Sequence, residues 1–170
     1  ALAATGTAHV QLYSTWYHGP CVSTACAVQP YPGPSASPLR SETDAELEAA
    51  MAMAGELKMQ AILSPRLDLN WDAPELQDAA PYNTSIANIG LARAPGGWTP
   101  NGWSPQRWSA WFGSYSLFIL HHARLCGGSP ACTGLVLGNG LTSAFRHVTA
   151  AEWRALAAKA RAALTAGALL

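Results

Sequence analysis

The sequence predicts an α/β fold built on a parallel sheet. Three observations predict it. Short apolar runs alternate with capped, one-sided helical segments along the chain, connections from helix to strand are short, and connections from strand to helix are mostly long.

The first apolar run covers residues 10–16. A helix follows over 43–58, opened by the capping box Thr43-Asp44-Ala45-Glu46, with Leu47, Met51, Ala54 and Leu57 on one face. Residues 60–69 form the second run. Ser104, with Pro105 at the first helical position, starts a long helix through Leu125 that carries Trp108, Trp111, Phe112, Tyr115, Phe118, Ile119 and His122 at helical spacing. The third run is 134–138. Thr149-Ala150-Ala151-Glu152 then repeats the capping device before Trp153, Leu156, Ala160 and Leu164, and an apolar stub at 168–170 ends the chain. Strict β-α-β-α-β-α-β order of this kind implies parallel strands, right-handed crossovers and outer helices that bury one face.

The long connections, about 17–42 and 70–104, follow strands and so gather at their carboxyl ends, where parallel α/β sheets and barrels place their sites. They hold Tyr17, Tyr31, Trp71, Tyr82, Trp98 and Trp103. Aromatic side chains on such a rim suit stacking against the apolar faces of sugar rings; the alternative is that they pack the loops onto the top of the sheet. Trp108, Trp111 and Trp153 lie on helix faces and belong to the core.

At 170 residues the chain is a single domain over 1–170, yet a closed eight-unit barrel needs about 250 residues. The fold is therefore smaller or the chain incomplete, and the missing initiator Met suggests a mature or excised chain. Ten basic and ten acidic side chains cancel, which leaves no electrostatic footprint for nucleic acid and favours a neutral or weakly charged ligand. No apolar run approaches a membrane span, and no signal peptide is visible at Ala1.

The four cysteines fall into two close pairs, Cys21 with Cys26 and Cys126 with Cys132. Two local disulfides in an oxidising compartment are the preferred reading, ahead of four buried thiols or a zinc site. Cys21 and Cys26 follow a strand while Cys126 and Cys132 precede one, so the pairs lie at opposite ends of the sheet and cannot share one metal. The sequon Asn83-Thr84-Ser85 agrees with a secreted or extracellular protein. Phosphate-binding and nucleophile-elbow patterns are absent, so no cofactor is expected. Alternation alone also fits an open doubly wound sheet, but no glycine-rich first turn supports it.

The segments VQLYSTWYH, TDAELEAAMAMAGELKMQAILSPRLDLN, WSAWFGSYSLFILHHARL and LVLGNGLTS, taken in order, resemble strands two to four of the glycoside-hydrolase barrels of family 113, the β-mannanase-like group of clan A. The resemblance implies a parallel (β/α)8 TIM-barrel type, present here as an incomplete barrel that covers about strands two to five. Thr15-Trp16-Tyr17 resembles the triplet that ends the family's second strand. Ser64-Pro65-Arg66-Leu67-Asp68 resembles its Lys-Pro-His-Val-Asp stretch, with Pro65 and Asp68 in agreement. Where the family's fourth strand ends in Gly-Thr-Glu-Leu this chain has Gly138-Asn139-Gly140-Leu141, which puts Gly140 at the general acid/base position. The resemblance also implies that residues 1–4 finish the first helix and 168–170 begin strand five, which leaves the nucleophile strand outside the chain.

The expected function is then a glycoside-hydrolase-like barrel that recognises a β-linked, mannan-like polysaccharide and is catalytically impaired at Gly140. Candidate substrate-binding residues are Trp16, Tyr17, His18, Arg66, Asp68, Trp71, Trp98, Trp103 and Asn139. Asn139 has a competing role as a turn residue in Gly-Asn-Gly. Asp68, Asp72 and Glu75 are weak substitutes for the missing acid. The alternatives are an active glycosidase in the full-length protein that uses a displaced carboxylate, or a structural or assembly module of a larger extracellular protein.

Overall fold

The computed structural model describes residues 6–18, 28–30, 40–69, 92–94, 97–99 and 103–167. Strands β1 (His9–His18), β3 (Gln60–Leu69) and β6 (Cys132–Leu135) pair in parallel, and β2 (Val28–Gln29) adds antiparallel to the end of β1, giving the order β2-β1-β3-β6. Strands β4 (Ala92–Ala94) and β5 (Gly97–Thr99) form a separate hairpin. The helices are α1 (Asp44–Glu56), α2 (Pro105–Gly127), α3 (Thr142–His147) and α4 (Ala150–Gly167).

Strand β1 runs beside β3 from the pair His9–Gln60 to the pair His18–Leu69 without a break. Side chains alternate across a strand, so each face is read from every second residue. On one face Val10, Leu12, Ala61 and Leu63 pack against Leu47, Met51 and Ala54 of α1, while Ser14, Trp16 and Leu67 meet α2 or its cluster. By the same alternation Gln11, Tyr13, Thr15 and Tyr17 share the opposite face with Ile62, Ser64, Arg66 and Asp68.

Helix α2 supplies most of the core. Its expected apolar stripe, Trp108, Trp111, Phe112, Tyr115, Phe118, Ile119 and His122, is buried in full. Full burial of each large apolar side chain contributes about 1.5–3 kcal/mol before entropy is charged against it. Trp111 stacks on Tyr115 at 5.1 Å, and Trp153 of α4 meets Phe112 edge-on at 4.9 Å. Helices α2 and α4 approach closely at Gly127, where a side-chain Cβ would lie 2.7 Å from the Ala163 carbonyl oxygen.

Both expected capping boxes are present. Thr43 and Glu46 exchange their bonds at the start of α1, and Glu152 accepts from the Thr149 N–H at 2.9 Å while Thr149 Oγ1 accepts from the Glu152 N–H. Ser104 caps α2 by accepting from the Arg107 N–H.

Several expectations need correction. Helix α1 ends at Glu56, not 58, because Lys58 turns into the left-handed region at φ 56° and donates its N–H to Gly55; Leu57, expected on the buried face, is 44% exposed. The third strand lies at Cys132–Leu135, not 134–138. Its last bond to β3 runs from the Val136 N–H to the Leu63 carbonyl, and the next residue on that edge of β3 is Pro65, which has no N–H to donate. The simple alternation is also interrupted by β2, by the β4–β5 hairpin and by the short helix α3.

Candidate functional site

The carboxyl ends of β1 and β3 bring together Thr15, Tyr17, Arg66 and Asp68, because Thr15 pairs with Arg66 and Tyr17 with Asp68 in the parallel register. Arg66 and Asp68 are two residues apart on one strand and so project from the same face. Their side chains form a loose ion pair with an N–O distance of 3.6 Å, 58% and 37% exposed respectively. Tyr17 is buried at 5% exposure, whereas Tyr13, one step below Thr15 on the same face, is 51% exposed. This combination offers a donor fork, an acceptor and an aromatic side chain along one surface.

Glu42 completes the edge of this group and was not anticipated. Its Oε2 accepts a hydrogen bond from the Thr15 backbone N–H at 2.9 Å, so the residue that precedes the N-cap of α1 pins the upper part of β1. Position alone could have flagged it, since it stands immediately before the capping box. Behind it, Arg40 grips Glu46 through two bonds of 3.0 and 2.6 Å. That hydrogen bond to Arg40, with the bonds from Thr43, holds the Glu46 carboxyl well below the usual carboxylate range.

Trp16 does not join the group. Its ring packs on the helix side, 5.1 Å from both Phe118 and His121 and 5.5 Å from His122. Beneath it His122 is fully buried: its Nδ1–H donates to the Phe118 carbonyl at 2.9 Å and its Nε2 accepts from the Ser14 hydroxyl at 2.9 Å. Burial pushes the His122 imidazole down to about 4. Trp103 also turns away from a rim role, lying 4.9 Å from Trp108 and 6.5 Å from Trp111 with the Arg107 guanidinium over its ring. It stands just before the N-cap Ser104 and meets the fourth helical residue, which makes it a hydrophobic staple.

Asn139 and Gly140 are exposed in the segment that follows β6. Gly140 adopts φ 69°, a left-handed conformation natural to glycine, and the chain then buries Leu141 and enters α3. Just before this turn the Tyr115 hydroxyl donates to the Leu137 carbonyl at 2.7 Å. Burial raises the Tyr115 phenol above its ordinary value, which keeps it a neutral donor. The Gly-Asn-Gly turn is therefore a specific backbone feature in which residue 140 offers no side chain.

His18 ends β1 with its backbone beside Val28. Trp98 lies on β5 of the hairpin, in register with Arg93. Trp71, Asp72, Glu75, Cys21 and Cys26 lie outside the described residues, as do 1–4 and 168–170. Cys126 and Cys132 form a disulfide at the opposite end of the sheet, joining the end of α2 to the start of β6. Among the described residues no three His, Cys, Asp or Glu side chains gather to hold a metal ion, and no helix is long and apolar enough to cross a membrane.

No protein-family model matches the chain, and no curated protein matches its sequence. Solved structures do match its shape. A GH113 β-mannanase from Alicyclobacillus acidocaldarius, in complex with ManMIm, superposes with a TM-score of 0.66 at 22% identity over 96% of this chain and 44% of that one. A GH113 β-1,4-mannanase complex gives 0.64 at 23% identity over 95% and 43%. Another GH113 β-1,4-mannanase structure gives 0.62 at 21% identity over 95% and 43%. The chain spans less than half the length of these enzymes, and what it shares with them is the fold: an incomplete, mostly parallel (β/α) barrel of the TIM type, as found in GH113 β-mannanases.

Proposed function

We propose that this chain is the sugar-binding part of a glycoside-hydrolase-like barrel that recognises a β-linked, mannan-like polysaccharide and does not itself hydrolyse it. The observation that carries the proposal is the grouping of Thr15, Tyr17, Arg66 and Asp68 on one face at the carboxyl ends of β1 and β3, the end where (β/α) barrels hold their ligands. The fold shared with β-mannanases supports a glycan as the ligand. Residue 140 supports the loss of chemistry. A retaining glycosidase needs two carboxyl groups about 5–5.5 Å apart, and a glycine in a left-handed turn supplies neither an acid nor a place where a glutamate sits without strain. The Cys126–Cys132 disulfide is consistent with an oxidising, extracellular location.

Isothermal calorimetry against β-1,4-linked manno-, gluco- and xylo-oligosaccharides tests the reading. Binding to at least one of them, with no new reducing ends released on long incubation, is the expected result. Silence across the whole panel would sink it. The competing reading, an active glycosidase with a displaced carboxylate, draws on the position of Asp68 on the same face. It predicts measurable hydrolysis that disappears in Asp68→Asn, and it fails if no hydrolysis is seen or if that variant keeps full activity.

A further inference from the structure

We infer that Asn139 is a site of self-modification: the backbone nitrogen of Gly140 closes on the Asn139 side-chain carbonyl carbon, ammonia leaves, and aspartate or isoaspartate results. The inference stands apart from the glycan-binding reading.

Three observations meet at these two residues. Both are exposed, in a bend that belongs to no strand or helix. Among the described residues, neither the Asn139 side chain nor the Gly140 N–H has a hydrogen-bond partner, so no bond has to open before the two groups meet. Residue 140 carries no Cβ to crowd its own nitrogen. A strand-to-helix connection at the carboxyl end of a strand faces solvent in a complete (β/α) barrel as well.

The anchors of the turn stand on either side of the reacting pair. Before it, the Tyr115 hydroxyl holds the Leu137 carbonyl at 2.7 Å; after it, Leu141 is buried. The rotation that brings Cγ to the nitrogen therefore falls on Asn139 and on the glycines at 138 and 140, whose backbones accept it.

The atoms of the reaction balance. The Gly140 nitrogen bonds to Asn139 Cγ, Nδ2 leaves as ammonia with the proton of that N–H, and a five-membered succinimide forms. Water then adds to one of the two ring carbonyls. Addition at Cγ restores the main chain and gives aspartate; addition at the backbone carbonyl carbon routes the chain through Cγ and gives isoaspartate. The sum is one amide and one water giving one carboxylate and one ammonium, with no change of oxidation state. Either product adds a negative charge at the end of the sheet that holds Arg66 and Asp68, in a chain whose ten basic and ten acidic side chains otherwise cancel. Isoaspartate also lengthens the main chain by a methylene, which the turn between Leu137 and Leu141 has to absorb.

Incubating the folded chain in mildly alkaline buffer and mapping its peptides by mass spectrometry tests the inference. Mapping separates residue 139 from Asn101-Gly102, the other Asn-Gly pair, which lies outside the described residues. The peptide with residue 139 is expected to gain one mass unit and to resolve into two products. Its rate is expected to lie within about tenfold of that in guanidinium-unfolded chain, because a turn without internal bonds has no opening step to wait for. Gly140→Ala is expected to react several-fold more slowly when unfolded, as the added Cβ crowds the nitrogen. Asn139→Gln, whose folding circular dichroism checks, is expected to stay unmodified, since its longer side chain closes a larger ring. The inference is overturned if the folded chain converts more than about tenfold more slowly than the unfolded one. Equal rates for Gly140→Ala and the native sequence, or the same mass gain at position 139 in Asn139→Gln, overturn it too.

Discussion

The imidazole of His122 accepts a hydrogen bond from the Ser14 hydroxyl at 2.9 Å, tying α2 to β1 across a sequence separation of 108 residues. In that direction the bond belongs to the neutral ring, whose proton is on Nδ1 and is donated to the Phe118 carbonyl. In the fold, burial lowers the imidazole from 6.5 to about 4. The unfolded chain therefore takes up a proton below about pH 6.5 that the folded chain refuses until about pH 4. Stability is expected to be full above pH 6.5, to fall as pH drops through that window by about 3 kcal/mol in all, and to level off below it. Urea titrations at pH 7, 6 and 5 measure it, a range that lies above the ordinary carboxylate value of 4.5 at which Glu46 begins to contribute. A stability that does not change from pH 7 to 5, or a slope unaltered in His122→Gln, would refute the assignment.

Gly127 and Gly113 lie on the same helix and predict opposite outcomes. A Cβ at 127 would meet the Ala163 carbonyl at 2.7 Å, while one at 113 meets nothing within 4 Å. Gly127→Ala is expected to destabilise by about 1–3 kcal/mol, because backbone oxygen on α4 has to move. Gly113→Ala is expected to stabilise by about 0.5–1 kcal/mol through helix propensity alone. Thermal melts of the two variants give the signs, and equal shifts would contradict the close approach of α2 to α4.

Gly140→Ala should cost about 1–2 kcal/mol, because φ 69° crowds any Cβ against the following carbonyl. Gly140→Asn should cost less, as asparagine tolerates this region better. Gly140→Glu should be destabilised like the alanine variant and should gain no hydrolysis on its own. A neutral Gly140→Ala in chemical denaturation would mean that the turn is not held in the left-handed conformation.

Removing the Cys126–Cys132 bridge by the double change to alanine is expected to cost about 2 kcal/mol, the loop-closure entropy of a link with a separation of 6 residues. The bridge lies at the amino-terminal end of β6, away from the carboxyl ends of β1 and β3. Glycan affinity, where present, should therefore be unchanged while the melting temperature falls. Loss of binding in a folded variant would link the two ends in a way the structure does not explain.

Much of the fold was legible because the signals were local or periodic. The buried stripe of α2 follows from 3.6-residue spacing, and the capping boxes follow from Thr43 with Glu46 and Thr149 with Glu152. The parallel order follows from the alternation of elements. What was not legible is which face of a strand meets which layer. Alternation separates Trp16 from Tyr17, but only the packing of Phe118 and His122 decides that Trp16 belongs to the helices and Arg66 to the open side. The loop-like neighbours of Trp103 point to a rim, although its position before Ser104 is that of a staple. The hydrogen bond from Thr15 to Glu42 joins residues 27 apart and leaves no trace in any periodicity.

Pro65 has a mechanical consequence. Below it β3 is clamped on both sides, by β1 and by β6; above it the rail to β6 stops and β3 is carried by β1 alone. The sheet forks there like a split plank, with Arg66 and Asp68 on one tine and the Gly-Asn-Gly turn on the other. Among the described residues no ladder bond ties those two tines together above Val136, so the Gly-Asn-Gly turn is placed by α2, through the Tyr115 bond to Leu137, and not by the sheet.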